Sequence, residues 1–174
     1  MKSVLIFTVF ALLGAVSAES KELQAIAVIT GSEGKVRGNV TFTQQNCDAN
    51  VHVFVTIEGL TPGPHGFHVH EKGDLSNGCT SAGSHYNPDK LSHGAPTSDM
   101  RHVGDLGNVI ADENGVVSTT LTDSLLTLSG ARSIIGRAIV VHTGEDDLGL
   151  GGHPDSKKTG NAGGRAGCGV IGYK

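Results

Sequence analysis

The sequence has no tryptophan, and aromatic residues of all kinds make up only 4% of its 174 positions. No segment sustains a helical period, which argues against a helical bundle. Beyond the first 18 residues, no stretch approaches the roughly 20 apolar residues needed to cross a bilayer. Blocks of five or six like charges are also absent, and the formal charge is -4. A mildly acidic chain without basic tracts has no sequence-wide attraction for nucleic acid or heparin-like polymers. The glycine-rich segment 145–164 contains no G-x-x-x-x-G-K-[ST] pattern and no strand-to-helix context, which excludes a phosphate-cradling loop. There are only three cysteines, so at least one stands outside any intrachain pair.

What is present begins with a leader. Lys2 supplies a short positive region, residues 4–16 are apolar apart from Thr8 and Gly14, and Val16-Ser17-Ala18 offers small residues for cleavage. Residues 1–18 therefore read as a secretory signal peptide cut after Ala18, leaving a chain from Glu19 that carries no membrane anchor. Its loss removes Lys2 and makes the chain one unit more negative. Residues 19–174 suffice for one domain with a core. Its 26 glycines are about twice the usual share. Short runs separated by turn residues point to an all-β sandwich or barrel.

Residues 23–30 are apolar on both faces and read as a buried strand. Gly31-Ser32-Glu33-Gly34 reads as a turn. Over 36–44, Val36, Val40 and Phe42 share one parity, and Asn39 and Thr41 the other. Asn39-Val40-Thr41 is an N-glycosylation sequon on the outward parity. Residues 51–58 alternate, with His52 outward. A Pro/Gly loop over 59–66 leads into His65-Gly66-Phe67-His68-Val69-His70-Glu71. On a strand, His68 and His70 point the same way while Phe67 and Val69 point the other. Two imidazoles on one outer face can close on a copper or zinc ion, and His65, of opposite parity to His68, reads as packed or hydrogen-bonded.

Residues 71–101 are the least regular part of the chain, and a loop this long in a compact domain is usually functional or disordered. His85 and His93 within it, followed by His102 and Asp105, make a four-coordinate set suited to zinc. Residues 106–112 and 115–122 flank Glu113-Asn114 and predict a hairpin. Residues 123–132 read as a polar connection. At Ile139-Val140-Val141-His142 another imidazole ends a strand, free to join His68 and His70. Residues 145–164 form a second long loop, and 168–173 the closing strand.

Taken together, these segments resemble the copper/zinc superoxide dismutases of the secreted type. The matching stretches are Gly66-Phe67-His68-Val69-His70-Glu71, Gly78-Cys79-Thr80-Ser81-Ala82-Gly83, and His102-Val103-Gly104-Asp105-Leu106-Gly107-Asn108. They continue through Ile134-Ile135-Gly136-Arg137, Val140-Val141-His142, Asp146-Asp147-Leu148-Gly149, Gly160-Asn161-Ala162-Gly163 and Cys168-Gly169-Val170-Ile171-Gly172. The resemblance covers residues 22–173. It implies an eight-stranded Greek-key β-barrel, sandwich-like, with two long functional loops, and disproportionation of superoxide to dioxygen and hydrogen peroxide as antioxidant defence outside the cell. It places copper on His68, His70, His85 and His142, and zinc on His85, His93, His102 and Asp105. His85 then bridges both ions. The bridge to copper opens on reduction and the imidazole takes up a proton.

The resemblance further implies that Asp146 orients His68 and His93, that Arg165 guides the anionic substrate, and that Cys79 pairs with Cys168. Cys47 is left as a free thiol or an intermolecular bridge. Lys157 and Lys158 stand where they could add to a steering field or simply form a solvated loop surface. His153-Pro154-Asp155 departs from the acidic residues common in relatives. A homodimer is expected through Ile135-Gly136 and Ile171-Gly172-Tyr173, with Lys72 standing where an apolar residue is common. The chain ends at Lys174, without the basic tail by which some secreted relatives hold matrix polysaccharide. The alternative reading is an inactive dismutase-like metal-binding or antigen protein on the same scaffold. A copper chaperone would need an additional Cys-rich domain, which this sequence does not contain.

Overall fold

Alternation of burial organises the first strands. In β3 (Val51–Glu58) every odd residue is buried and every even one exposed, as expected when one face meets the core and the other water. β2 (Arg37–Gln44) follows the same rule, with Val40, Phe42 and Gln44 inward. The Gln44 side chain donates to the Ala49 carbonyl and accepts from the Leu128 amide, so its buried amide is satisfied. β1 (Leu23–Thr30) differs from the expectation of a strand buried on both faces. Ala25, Ala27 and Ile29 are buried, but Val28 is 63% exposed. Its outer face is apolar without being covered.

A computed structural model describes residues 21–174. The expected signal peptide and its cleavage after Ala18 lie outside the described residues. The remaining elements are β4 (Gly63–His70), β5 (Ser76–Cys79), β6 (Asp105–Ala111), β7 (Val117–Asp123), β8 (Ala138–His142), β9 (Arg165–Val170) and β10 (Gly172–Tyr173), with one short helix, α1 (Ser156–Thr159). Among the described residues no helix is long and apolar enough to cross a membrane.

Hydrogen-bonded neighbours run β6-β4-β8-β9-β1-β2-β3-β7, all antiparallel, with β10 added to β1. The order returns the chain across the barrel between β3 and β4 and again between β7 and β8. The result is a nearly closed eight-strand antiparallel barrel, the fold of the copper/zinc dismutases that the sequence resembles. β6 and β7 are joined by a tight turn, in which the Gly115 amide donates to the Asp112 carbonyl. Each strand pairs with a different partner, β6 with β4 and β7 with β3. The expected hairpin is thus a turn at a seam and not a paired ribbon.

Phe42, Phe67, Ile57, Ile139 and Ile171 fill the interior. Residues 123–132 are not simply polar: Leu126 and Leu128 are buried and join this core. A smaller cluster of Ala82, Ala138, Val140 and Cys168 lies beneath the first long loop, against Leu75 and Cys79.

Candidate metal centre

β4 carries Phe67 and Val69 into the barrel and turns His68 and His70 the other way. The sequence places this pair on an outer face. That face is covered by the two long loops, so His68 is 0% and His70 1% exposed. β8 delivers His142 from the neighbouring strand, at a register shift between Val141 and His142. An isolated bridge between His70 and His85 pins the first loop to the end of β4. β6 begins with Asp105, which is fully buried.

Each histidine is tied at one ring nitrogen, which fixes the direction of the other. His68 Nε2 and His93 Nε2 lie 2.8 Å from the two carboxylate oxygens of Asp146. His70 Nδ1 donates to the Gly83 carbonyl at 2.9 Å, and His142 Nδ1 to the Gly163 carbonyl at 3.3 Å. His85 Nδ1 stands 2.9 Å from Asp105 Oδ1, and His102 Nδ1 3.1 Å from the same oxygen. His93 Nδ1 is 3.0 Å from Asp105 Oδ2.

Ring nitrogens and the Asp105 carboxylate converge in two groups. His68, His70, His85 and His142 bring one ligand atom each within 4.8 Å of one another, and so do His68, His85, His93 and Asp105. His102 joins the second group through Asp105 and through His85 Nδ1, 3.4 Å away. His68 and His85 belong to both. Three buried nitrogens, His68 Nδ1, His85 Nε2 and His93 Nδ1, make no aligned hydrogen bond, although His93 Nδ1 lies near Asp105 Oδ2. Leaving such atoms unpaired is costly, and coordination to a metal ion removes the cost. The donor set therefore fits two adjacent ions.

Protonation follows the same division. Burial and the charge of His85 push His68 down to about 3 and His70 down to about 2. The same two causes bring His142 down to about 4. Burial also lowers His85. These rings are neutral at physiological pH, with lone pairs available. Burial works against a proton on His93, but the Asp105 and Asp146 carboxylates outweigh it and raise its pKa to about 9. Burial would raise Asp105, yet its contacts with His102, His85 and His93 hold it well below the usual carboxylate range. Asp146 is likewise held low by His68 and His93 against the effect of burial.

The two loops are fastened at defined points. Asn108 donates to the Asp146 carbonyl and accepts from the Asp146 amide, both at 2.8 Å. Asn108 lies within a matched stretch, but its part in holding Asp146 was not read from the sequence. At Gly160, φ is +65°, and an added Cβ would stand 1.8 Å from Asp146 Oδ1, so only glycine lets the second loop close over that carboxylate. Arg101, buried, donates to the Asp105 carbonyl and pairs with Asp123 at 2.6 Å; the sequence marked neither Arg101 nor Asp123. His65 packs as read, 2.8 Å from the His142 carbonyl and 2.7 Å from that of Thr61. His52 is on the surface beside Thr122.

A cavity of about 580 Å³ reaches His70, His85 and His142 from outside, with Lys157, Lys158 and Arg165 in its lining. Arg165 is held by backbone carbonyls, donating to Cys79 at 2.5 Å and to Gly83 at 2.6 Å. Gly83 also accepts from His70, so the guanidinium and a candidate ligand share one anchor. Cys79 and Cys168 form a disulfide, and Cys47 is free and exposed.

Comparison with known proteins agrees with this geometry. The family described as copper/zinc superoxide dismutase (SODC) matches residues 36–171. The extracellular superoxide dismutase [Cu-Zn] of Drosophila melanogaster is 61% identical over 156 residues, which cover 87% of this chain and 86% of that protein. The superoxide dismutase [Cu-Zn] of Yarrowia lipolytica is 58% identical over 151 residues, 86% of this chain and 97% of its own. With a nearly closed barrel, two histidine groups sharing His68 and His85, and matches over most of its length, the chain belongs to the copper/zinc superoxide dismutase family.

Proposed function

We propose that this chain is a secreted superoxide dismutase, converting two superoxide ions and two protons to dioxygen and hydrogen peroxide. The observation that carries the reading is His85, a member of both groups, whose Nδ1 faces Asp105 while its Nε2 is buried without a partner. His68, His70, His85 and His142 hold copper, and His85, His93, His102 and Asp105 hold zinc. Copper supplies reversible one-electron chemistry, while zinc is redox-inert and fixes the loop. Asp146 orients one ligand of each group through its two oxygens. Arg165 holds a fixed positive charge at the cavity floor, where it attracts and aligns the superoxide anion. His85 Nε2 is the atom positioned to carry a proton to the reduced product. Lys157 and Lys158 extend the positive rim.

Secretion is supported by the leader-like residues 1–18, the Cys79–Cys168 disulfide, which suits an oxidising compartment, and the extracellular relative. In such a compartment the Asn39 sequon is an acceptor for an N-glycan, on an exposed residue. Pairing of two copies is supported by Val28, Val170 and Tyr173, exposed by 63%, 41% and 59% on neighbouring strands. Leu75 adds to this apolar surface, beside a cavity of about 740 Å³. The pairing face is therefore centred on Val28, Val170 and Tyr173; Ile171, expected there, is buried in the core.

Metal content and dismutation rate of the purified protein test the reading together. About one copper and one zinc per chain, with activity lost on copper removal and regained on its return, is the expected result. Zinc without copper, and no activity after copper is supplied, would favour an inactive metal-binding protein on this scaffold.

A further inference from the structure

We propose that N-glycosylation of Asn39 keeps this chain monomeric by covering the edge of the face through which two copies pair. The inference rests on the pairing face proposed above and adds what controls it. In the β1–β2 ladder Asn39 is the direct partner of Val28. Both side chains point outward, on the same face of the sheet. Directly opposed residues of an antiparallel pair hold their Cβ atoms about 5 Å apart. An interface of standard size buries on the order of 800 Å² per partner, a disc of roughly 16 Å radius. A second copy whose contact is centred near Val28 covers Asn39 within such a disc.

The unmodified surface there permits that approach. Asn39 is neutral and short, its β3 partner is Thr56, and the nearest charges on the same face, Arg37 and Glu58, are already paired with each other. A glycan on Asn39 replaces this low surface with a bulky, hydrated oligosaccharide beside the most exposed aliphatic side chain of the patch. The β-ladder on both sides of Asn39 fixes its backbone, so the first sugar cannot be carried away by a loop movement. The sugar also shields Val28 from water, which lowers the gain from pairing. Occupancy of one sequon then decides between two forms of the same active-site scaffold, one monomeric and one paired. Asn39 lies on β2, none of whose residues belongs to either histidine group, so the metal centre is not part of the switch.

The experiment is secretion of the full chain from a eukaryotic host, peptide mass spectrometry at Asn39, and light-scattering mass of the intact metal-loaded protein. The expected result is a glycosylated chain of monomer mass, with Asn39→Gln and Thr41→Ala each of roughly twofold greater protein mass as symmetric dimers. Val28→Asp added to Asn39→Gln should return the mass to that of a monomer. A glycosylated chain that is already a dimer would overturn the inference and leave the pairing face standing. Absence of a glycan on Asn39 would also overturn it. Asn39→Gln dimerising while Thr41→Ala does not would show that the asparagine and not the sugar is responsible. If all unglycosylated variants remain monomeric, the pairing face itself is wrong and the switch falls with it. If Asn39→Gln dimers survive Val28→Asp, pairing uses another face and the inference fails.

Discussion

Arg165 is fixed by carbonyls and not by a carboxylate, so its charge is left facing the cavity. The substrate is an anion and the chain is negative overall, which makes a local positive field the means of raising its encounter rate. Replacing Arg165 with Ala should lower the dismutation rate by about tenfold or more and flatten its dependence on ionic strength. Arg165→Lys should retain part of both. Rates of the variants from low to high salt check this, and an unchanged salt slope in Arg165→Ala would reject steering by this residue. Asp146 acts differently, by orienting His68 and His93 through separate oxygens. Asp146→Asn can accept from only one of the two rings, and it should weaken zinc binding by about 10- to 100-fold. A competition titration with a chelator measures that change independently of activity. The histidines were legible because strand parity and loop composition marked them one by one. Asn108 and Arg101 were less so, since their bonds go to backbone or to residues far along the chain, which local pattern does not encode.

Among the elements, the first long loop is where local propensity contributes least and cross-links most. It has little regular structure beyond β5, and is held by the disulfide, the His70–His85 bridge and the cluster of Ala82, Ala138, Val140 and Cys168. Cys79 provides both a sulfur to β9 and the carbonyl that receives Arg165. Replacing both cysteines with Ser should therefore cost about 2–5 kcal/mol of stability and also reduce the salt-sensitive part of the rate. Thermal melts and the salt series of the double variant check the two effects. A loss of stability with the salt slope intact would mean that Arg165 keeps its place without the clamp. The barrel strands were readable where one face alone is buried, as in β3. The β6–β7 seam was not, because adjacency in sequence favours a hairpin while the partners actually chosen, β4 and β3, depend on register set across the whole barrel. Leu126 and Leu128 were missed because the leucines of this segment, Leu125, Leu126 and Leu128, make no sustained period.

At the scale of the molecule, the metal centre stores a cost that shows as pH dependence when the metals are removed. His68, His70 and His142 have folded pKa values of about 3, 2 and 4, below the unfolded value of 6.5. The unfolded chain binds more protons than the folded one across that window. Stability from these groups is therefore complete above about pH 6.5 and falls as the pH drops toward their folded values. Each histidine contributes a slope of about 1.4 kcal/mol per pH unit where it is protonated only in the unfolded chain. Asp105 and Asp146, held low, add to the loss below about pH 4. His93 works in the opposite sense. Its folded pKa of about 9 lies above 6.5, so its contribution is complete below about pH 6.5 and is lost as the pH rises toward 9. The metal-free protein should then be most stable near pH 6.5, with a steep acid limb and a shallower alkaline one. Metals bound at these nitrogens would keep them deprotonated and stabilise the folded state by RT ln(1 + L/Kd), where L is the free metal concentration. Loading copper and zinc should raise the urea midpoint at pH 7 and move the acid limb downward. Urea unfolding of both forms between pH 4 and 9 checks this. A metal-free protein whose stability does not change between pH 4 and 6.5 would mean that His68, His70 and His142 are not buried as neutral rings.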